Sequence, residues 1–181
     1  MKGIVFREFY NMVEEVFSAD MMDELIDATD PESGGSYTTV GTYDYNELVA
    51  MVVELSKRTN TPVEDLIFAF GKHLASVFTD KYSDFFKACP NTIEFLKTID
   101  NHIHVEVKKL YPDAELPKFS FDDSHSNYLT LRYQSTRPFA TLARGLIEGC
   151  ADYYHEKLTI EMSDHSGDQA SNVEFVISKA A

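Results

Sequence analysis

The hydrophobic period of this chain changes once, near Pro112, and no other feature constrains the fold as strongly. Up to residue 112 apolar residues recur at helical spacing between short polar loops, whereas beyond it segments alternating at period two flank one further helical stretch. This division describes an α+β fold: a helical N-terminal part followed by ββαββ with an antiparallel sheet. Residues 1–181 read as one domain, of a size that hides roughly 70% of its unfolded surface and can enclose a large ligand. The chain shows neither a repeat nor a low-complexity tract.

Local signals fill in this frame. Val5, Phe9, Met12, Val13, Val16 and Phe17 recur on one broad apolar helix face. A loop at 31–36, rich in Gly, Ser and Pro, interrupts the helices. Two helix starts are marked by a side-chain cap three residues before a Glu: Thr61 before Glu64, with Pro62 suited to the first helical position, and Asn91 before Glu94. The second start opens IEFLKTIDNHIHVEVKKL, which reads as one long helix ending near Tyr111 and Pro112 because proline disfavours helix in the residue before it. PKFSFDD and YLTLRYQS form a hairpin about a polar turn at 123–127. A helix within PFATLARGLIEGCADYYHEKL follows, and LTIEMSD and NVEFVISK pair around Ser166, Gly167 and Asp168.

Charge and cysteine content narrow the function classes. A formal charge of −14 repels phosphate backbones, so nucleic acid is excluded as a partner. No run of about 18 uncharged apolar residues exists, which argues against an ordinary membrane span and a membrane partner. The apolar run from Gly3 to Phe6 is broken by Arg7 and Glu8 before it reaches signal-peptide length. Cys89 and Cys150 are too few for a disulfide framework and lack the spacing of a zinc or redox site, so a reducing, cytoplasmic setting is expected.

Two groups of residues carry candidate chemistry. On the long helical segment, Ile93, Leu96, Ile99, Ile103, Val107 and Leu110 share one face, and His102 and His104 flank Ile103 on opposite sides. Either is a boundary histidine satisfied by a neighbour or a neutral imidazole able to ligate iron, and periodicity does not choose between them. At the end of a strand, Tyr133, Ser135 and Arg137 form YxSxR. Two hydroxyls and a forked guanidinium can hold a carboxylate pair, although strand hydroxyls near an Arg are commonly plain surface residues.

In combination these elements resemble the H-NOX (haem nitric oxide/oxygen binding) domains, including the haem domain of soluble guanylate cyclase. The likeness spans nearly the whole chain: an MKG start, His104 followed after six residues by Tyr111 and Pro112, then Leu116 and Pro117, the YxSxR at 133–137, and GLIEG from Gly145 to Gly149. It implies a single haem-binding domain of the stand-alone bacterial type, with haem b (iron protoporphyrin IX) buried between the helical and sheet parts. It selects His104 as the proximal iron ligand, assigns Tyr133, Ser135 and Arg137 to the haem propionates, and sets Pro117 against the porphyrin. The distal pocket it implies consists of Ile4, Val5, Phe9, Leu74, Phe78, Leu142 and Leu146.

Dioxygen-binding relatives place a tyrosine where this chain has Leu142, and often a hydrogen-bonding or indole side chain at the positions of Leu74 and Phe9. An apolar lining withholds the donor that iron-bound dioxygen needs, a difference of about 1.5–3 kcal/mol, or roughly ten- to a hundredfold. The resemblance therefore implies a sensor of nitric oxide, also taking carbon monoxide, that excludes dioxygen and signals when the bond from iron to His104 breaks. A dioxygen-binding haem sensor is the alternative. No kinase or cyclase segment is evident in the 181 residues, so the output is expected through a separate sensor histidine kinase or cyclic-di-GMP enzyme. A peroxidase-type enzyme would need a distal acid–base group that this lining lacks, so the chain is not expected to be an enzyme. A cofactor-free interaction module is the remaining rival. Some relatives carry a Cys/His zinc site near the C-terminus; the stretch 164–171 has no cysteine, so none is expected here. His73, His125, His155 and His165 read as surface or boundary residues.

Overall fold

The computed structural model describes residues 1–125, 127–166 and 171–180. Among these described residues, eight α-helices and four strands follow in chain order: α1 Gly3–Val16, α2 Ala19–Thr29, α3 Tyr45–Thr59, α4 Val63–Lys81, α5 Ser83–Lys87, α6 Thr92–Thr98, α7 His104–Leu110, β1 Lys118–Asp122, β2 Tyr128–Ser135, α8 Ala140–Tyr153, β3 Leu158–Asp164 and β4 Ser171–Lys179. The helical part followed by ββαββ is as expected. All strand pairs are antiparallel and the sheet order is β1-β2-β4-β3, so each hairpin contributes one inner and one edge strand. Ser126 and residues 167–170 lie outside the described residues, and with them the tip of each expected turn.

Strand alternation gives the sheet one buried face. Leu129, Leu131 and Tyr133 on β2 and Val173, Phe175 and Ile177 on β4 pack with Leu96, Ala143 and Ile147 from the helices. The helical part has its own core, built on Phe6, Phe9, Met12, Val13, Met22, Leu25, Leu55, Phe70 and Leu74. Between the two parts, α4 crosses α8 at Gly71 and Gly145. A Cβ on Gly71 would lie 2.4 Å from the Leu142 carbonyl oxygen, and one on Gly145 would lie 2.3 Å from that of Phe68. Only hydrogen side chains let the two backbones approach this closely.

Three expectations change. At the end of α1, Val16 and the C-cap residue Phe17 are exposed, and Phe6 takes a place in the core. The helix ends at Val16, so its last apolar residues have no layer to pack on. Thr61 does not cap α4: Pro62 occupies the N-cap position without a side-chain hydrogen bond, one residue later than expected. Asn91 does cap α6, its side chain accepting from the Glu94 amide at 3.0 Å.

The long helical segment is continuous but not uniform. Residues Ile99–Ile103 form a π-helical turn between α6 and α7. Its wider coil rotates everything that follows, and the single apolar face dissolves. Ile99 packs on the sheet-side cluster, Ile103 packs with Phe86, Phe95 and Cys150, and Leu110 is exposed. The helix stops at Tyr111 and Pro112 as expected.

Candidate functional site

The π-helical turn determines how the two histidines are presented. His102 is exposed and meets the Phe85 ring edge-on at 5.5 Å. His104, the first residue of α7, has a side chain only 16% exposed and faces Phe119 on β1 at 5.8 Å between ring centres. Its Nδ1 lies 3.4 Å from Asp100 Oδ1, and no hydrogen bond engages its Nε2 among the described residues. Burial lowers the His104 pKa below its ordinary 6.5, against the opposing hydrogen bond and charge of Asp100, so the ring is neutral at pH 7. A neutral imidazole anchored through Nδ1 leaves the Nε2 lone pair available to a metal.

Asp100, which the residue pattern did not single out, faces His104. The same Oδ1 accepts the Phe119 backbone N–H at 3.1 Å, which ties the π-helical turn to the second residue of β1. Its signal was present in the sequence: a carboxylate four residues before a histidine on a helix faces it. Pro117 is half-buried immediately before β1.

Tyr133 sits on β2 opposite Phe119, with ring centres 5.5 Å apart, and is 3% exposed. Burial raises its phenol pKa, opposed by hydrogen bonding to Ser135 and to the backbone at Phe139 and by the charge of Arg137. Ser135 Oγ accepts the Arg137 backbone N–H at 3.1 Å, so the strand turns away at that point and Arg137 does not continue it. The guanidinium donates to the Glu115 carbonyl at 3.2 Å and to the Glu115 carboxylate, and lies 5.8 Å from the centre of the Tyr45 ring. Arg137 thus grips a carboxylate already. It opens onto a cavity of about 370 Å³ that Met1, Lys2, Tyr45 and Asp113 also line. There the N-terminal ammonium donates to the Tyr43 carbonyl at 2.6 Å.

The apolar candidates gather on α1, α4 and α8. Phe9, Leu74 and Leu142 are buried in the helical core, with half-buried Val5, Phe78 and Leu146 packed against it; Ile4 is half-buried on the first turn of α1. Phe9 meets Phe70 edge-on at 5.3 Å. A polar cluster that sequence reasoning missed lies on α1 and α4. Glu8 is buried, accepts from Lys81 at 2.6 Å and from Asn11 at 3.2 Å, and lies 3.9 Å from His73 Nε2, a buried nitrogen without a hydrogen-bond partner among the described residues. His73 is thus a boundary residue, and His125, His155 and His165 are exposed. Residues 167–170 of the stretch considered for zinc lie outside the described residues.

The arrangement offers a neutral imidazole for a metal, a buried phenol, hydroxyl and guanidinium for an anionic group, and a broad apolar lining. A family model described as Haem-NO-binding matches residues 2–162. The fold is similar to the H-NOX protein from K. algicida in the Fe(II) unliganded form, at 36% identity and a TM-score of 0.92 over 100% of this chain and 97% of that one. It is also similar to the IWP-051-bound H-NOX from Shewanella woodyi in the Fe(II)CO state, at 40% identity, a TM-score of 0.85, and 99% and 95% coverage. An H-NOX protein from S. oneidensis in the Fe(II)NO state matches at 27% identity and a TM-score of 0.89, with 100% of both chains covered. Comparison with curated proteins finds no match.

Proposed function

The chain belongs to the Haem-NO-binding, or H-NOX, family, and from that premise we propose that it senses nitric oxide through a haem held by His104. Domains of this family bind haem and serve as gas sensors. The observation that carries the reading here is His104: half-buried, neutral, anchored through Nδ1, with Nε2 disengaged. The residues fit the group. His104 would hold the iron of haem b, Tyr133, Ser135 and Arg137 its propionates, and Pro117, Ile4, Val5, Phe9, Leu74, Phe78, Leu142 and Leu146 would enclose it. When bound, the haem would supply a ferrous iron able to take nitric oxide or carbon monoxide.

The chain's own residues set selectivity and output. Leu142, Leu74 and Phe9 present no N–H or O–H, so dioxygen gains no hydrogen bond while nitric oxide loses little by its absence. His104 begins α7 and Asp100 joins the turn before it to β1, so a displacement of His104 would be felt by the sheet, a two-state change that a partner can read. The proposed partner is a separate sensor histidine kinase or cyclic-di-GMP enzyme, the proposed setting is the cytoplasm, and residues 1–181 act as one sensing domain without catalysis of their own. None of the described helices is long and apolar enough to cross a membrane.

An absorption spectrum of the freshly purified protein tests the reading. A Soret band with a five-coordinate ferrous spectrum after reduction is expected, and it persists in His102→Ala. His104→Gly should retain haem only with added imidazole. Loss of the ferrous histidyl spectrum in the His102 variant, with retention in the His104 variant, reverses the ligand assignment. A stable oxy spectrum in air marks a dioxygen sensor instead.

A further inference from the structure

We propose that Asp100 is a positioning residue for His104, one whose carboxylate orients the imidazole and links it to β1. The inference rests on the reading of His104 as the iron ligand, and three observations carry it. A single oxygen, Asp100 Oδ1, lies 3.4 Å from His104 Nδ1 and accepts the Phe119 N–H at 3.1 Å. Four residues apart on one helical segment, Asp100 and His104 share a side, and both meet Phe119 on β1. Among the described residues no other carboxylate pairs with His104.

The consequence follows from the donor inventory of histidine. A carboxylate accepts only, so the nitrogen facing it carries the proton and Nε2 keeps its lone pair. An anionic acceptor on Nδ1–H also raises the basicity of the ligating nitrogen and fixes the ring plane, as outer-shell partners of metal-bound histidines do. Because the acceptor oxygen is shared with the Phe119 amide, any swing of the imidazole changes a backbone contact of β1. Asp100 is therefore placed to set the strength of the His104 bond and to pass its loss to the sheet.

The test is resonance Raman spectroscopy of the ferrous, unliganded holoprotein, read at the iron–histidine stretch, together with the rate of haem transfer to an acceptor globin. Asp100→Asn keeps an amide oxygen for the Phe119 N–H but removes the anionic acceptor. The stretch should move to lower frequency and haem transfer should accelerate by about ten- to a hundredfold. Should the Asn variant not fold, Asp100→Ser carries the same two outcomes. A stretch unmoved from wild type shows that Asp100 serves only the β1 amide, and overturns the proposal. The ligand reading fails separately, if wild type has no iron–histidine band or if the band survives in His104→Gly without added imidazole.

Discussion

Leu142 is the residue on which the proposed gas selectivity turns. It is buried on α8 within the helical core, where a hydroxyl would find few competing partners. Leu142→Tyr should raise dioxygen affinity by roughly ten- to a hundredfold, the equivalent of about 1.5–3 kcal/mol, provided the hydroxyl reaches the ligand at about 2.7–3.0 Å. Gas titration of the reduced protein checks this, and an unchanged affinity would show that residue 142 does not face the bound gas. Arg137 makes a different case, since its fork already holds Glu115. If the fork instead serves a propionate when haem is bound, Arg137→Ala should speed haem loss, while Glu115→Gln should leave retention equal or greater. Unaltered retention after Tyr133, Ser135 and Arg137 are all changed to Ala would remove the three from the site.

Elements are held in place by features of unequal legibility. The crossing of α4 and α8 depends on Gly71 and Gly145, where an added methyl meets a backbone oxygen instead of a flexible side chain. Gly71→Ala or Gly145→Ala should each cost about 1–3 kcal/mol from overpacking, seen as a lower urea midpoint at unchanged slope. Helix capping gives a sharper contrast. Asn91→Ala should cost about 1 kcal/mol because its side chain holds the Glu94 amide, whereas Thr61→Ala should be nearly neutral because Thr61 makes no cap. Equal losses at the two sites would contradict the observed start of α4.

Taken whole, the molecule is built to weaken in acid. Burial pushes the Glu8 carboxyl up, but its hydrogen bonds to Lys81 and Asn11 and the charges of Lys81 and His73 together hold it below 4.5. The stability it contributes is present above pH 4.5 and is lost as pH falls through its lowered folded value. A urea midpoint that declines as pH falls below about 4.5 is expected. Glu8→Gln should remove much of that decline. A profile that stays flat down to about pH 3 would show that Glu8 is not coupled to folding.

How much of this was legible in the sequence follows from what each signal encodes. Alternation and helical spacing are local, and they located α1, α4, the segment from α6 to α7, α8, both hairpins and the stop at Pro112 without any tertiary information, while α2, α3 and α5 were not individually marked. The types and spacing of His104, Tyr133, Ser135 and Arg137 were likewise plain, and their resemblance to a family ranked His104 above His102. Periodicity reports which residues share a face only while the coil keeps its pitch, so the π-helical turn at 99–103 was invisible, and with it the separation of Ile99 from Ile103. The pairing of Arg137 with Glu115, the approach of Gly71 to Gly145 and the sharing of one Asp100 oxygen by His104 and Phe119 join residues whose nearness depends on how the chain packs. The one-dimensional pattern determined the elements and their candidate chemistry; the packing of helices on the sheet decided which histidine turns inward and what holds it there.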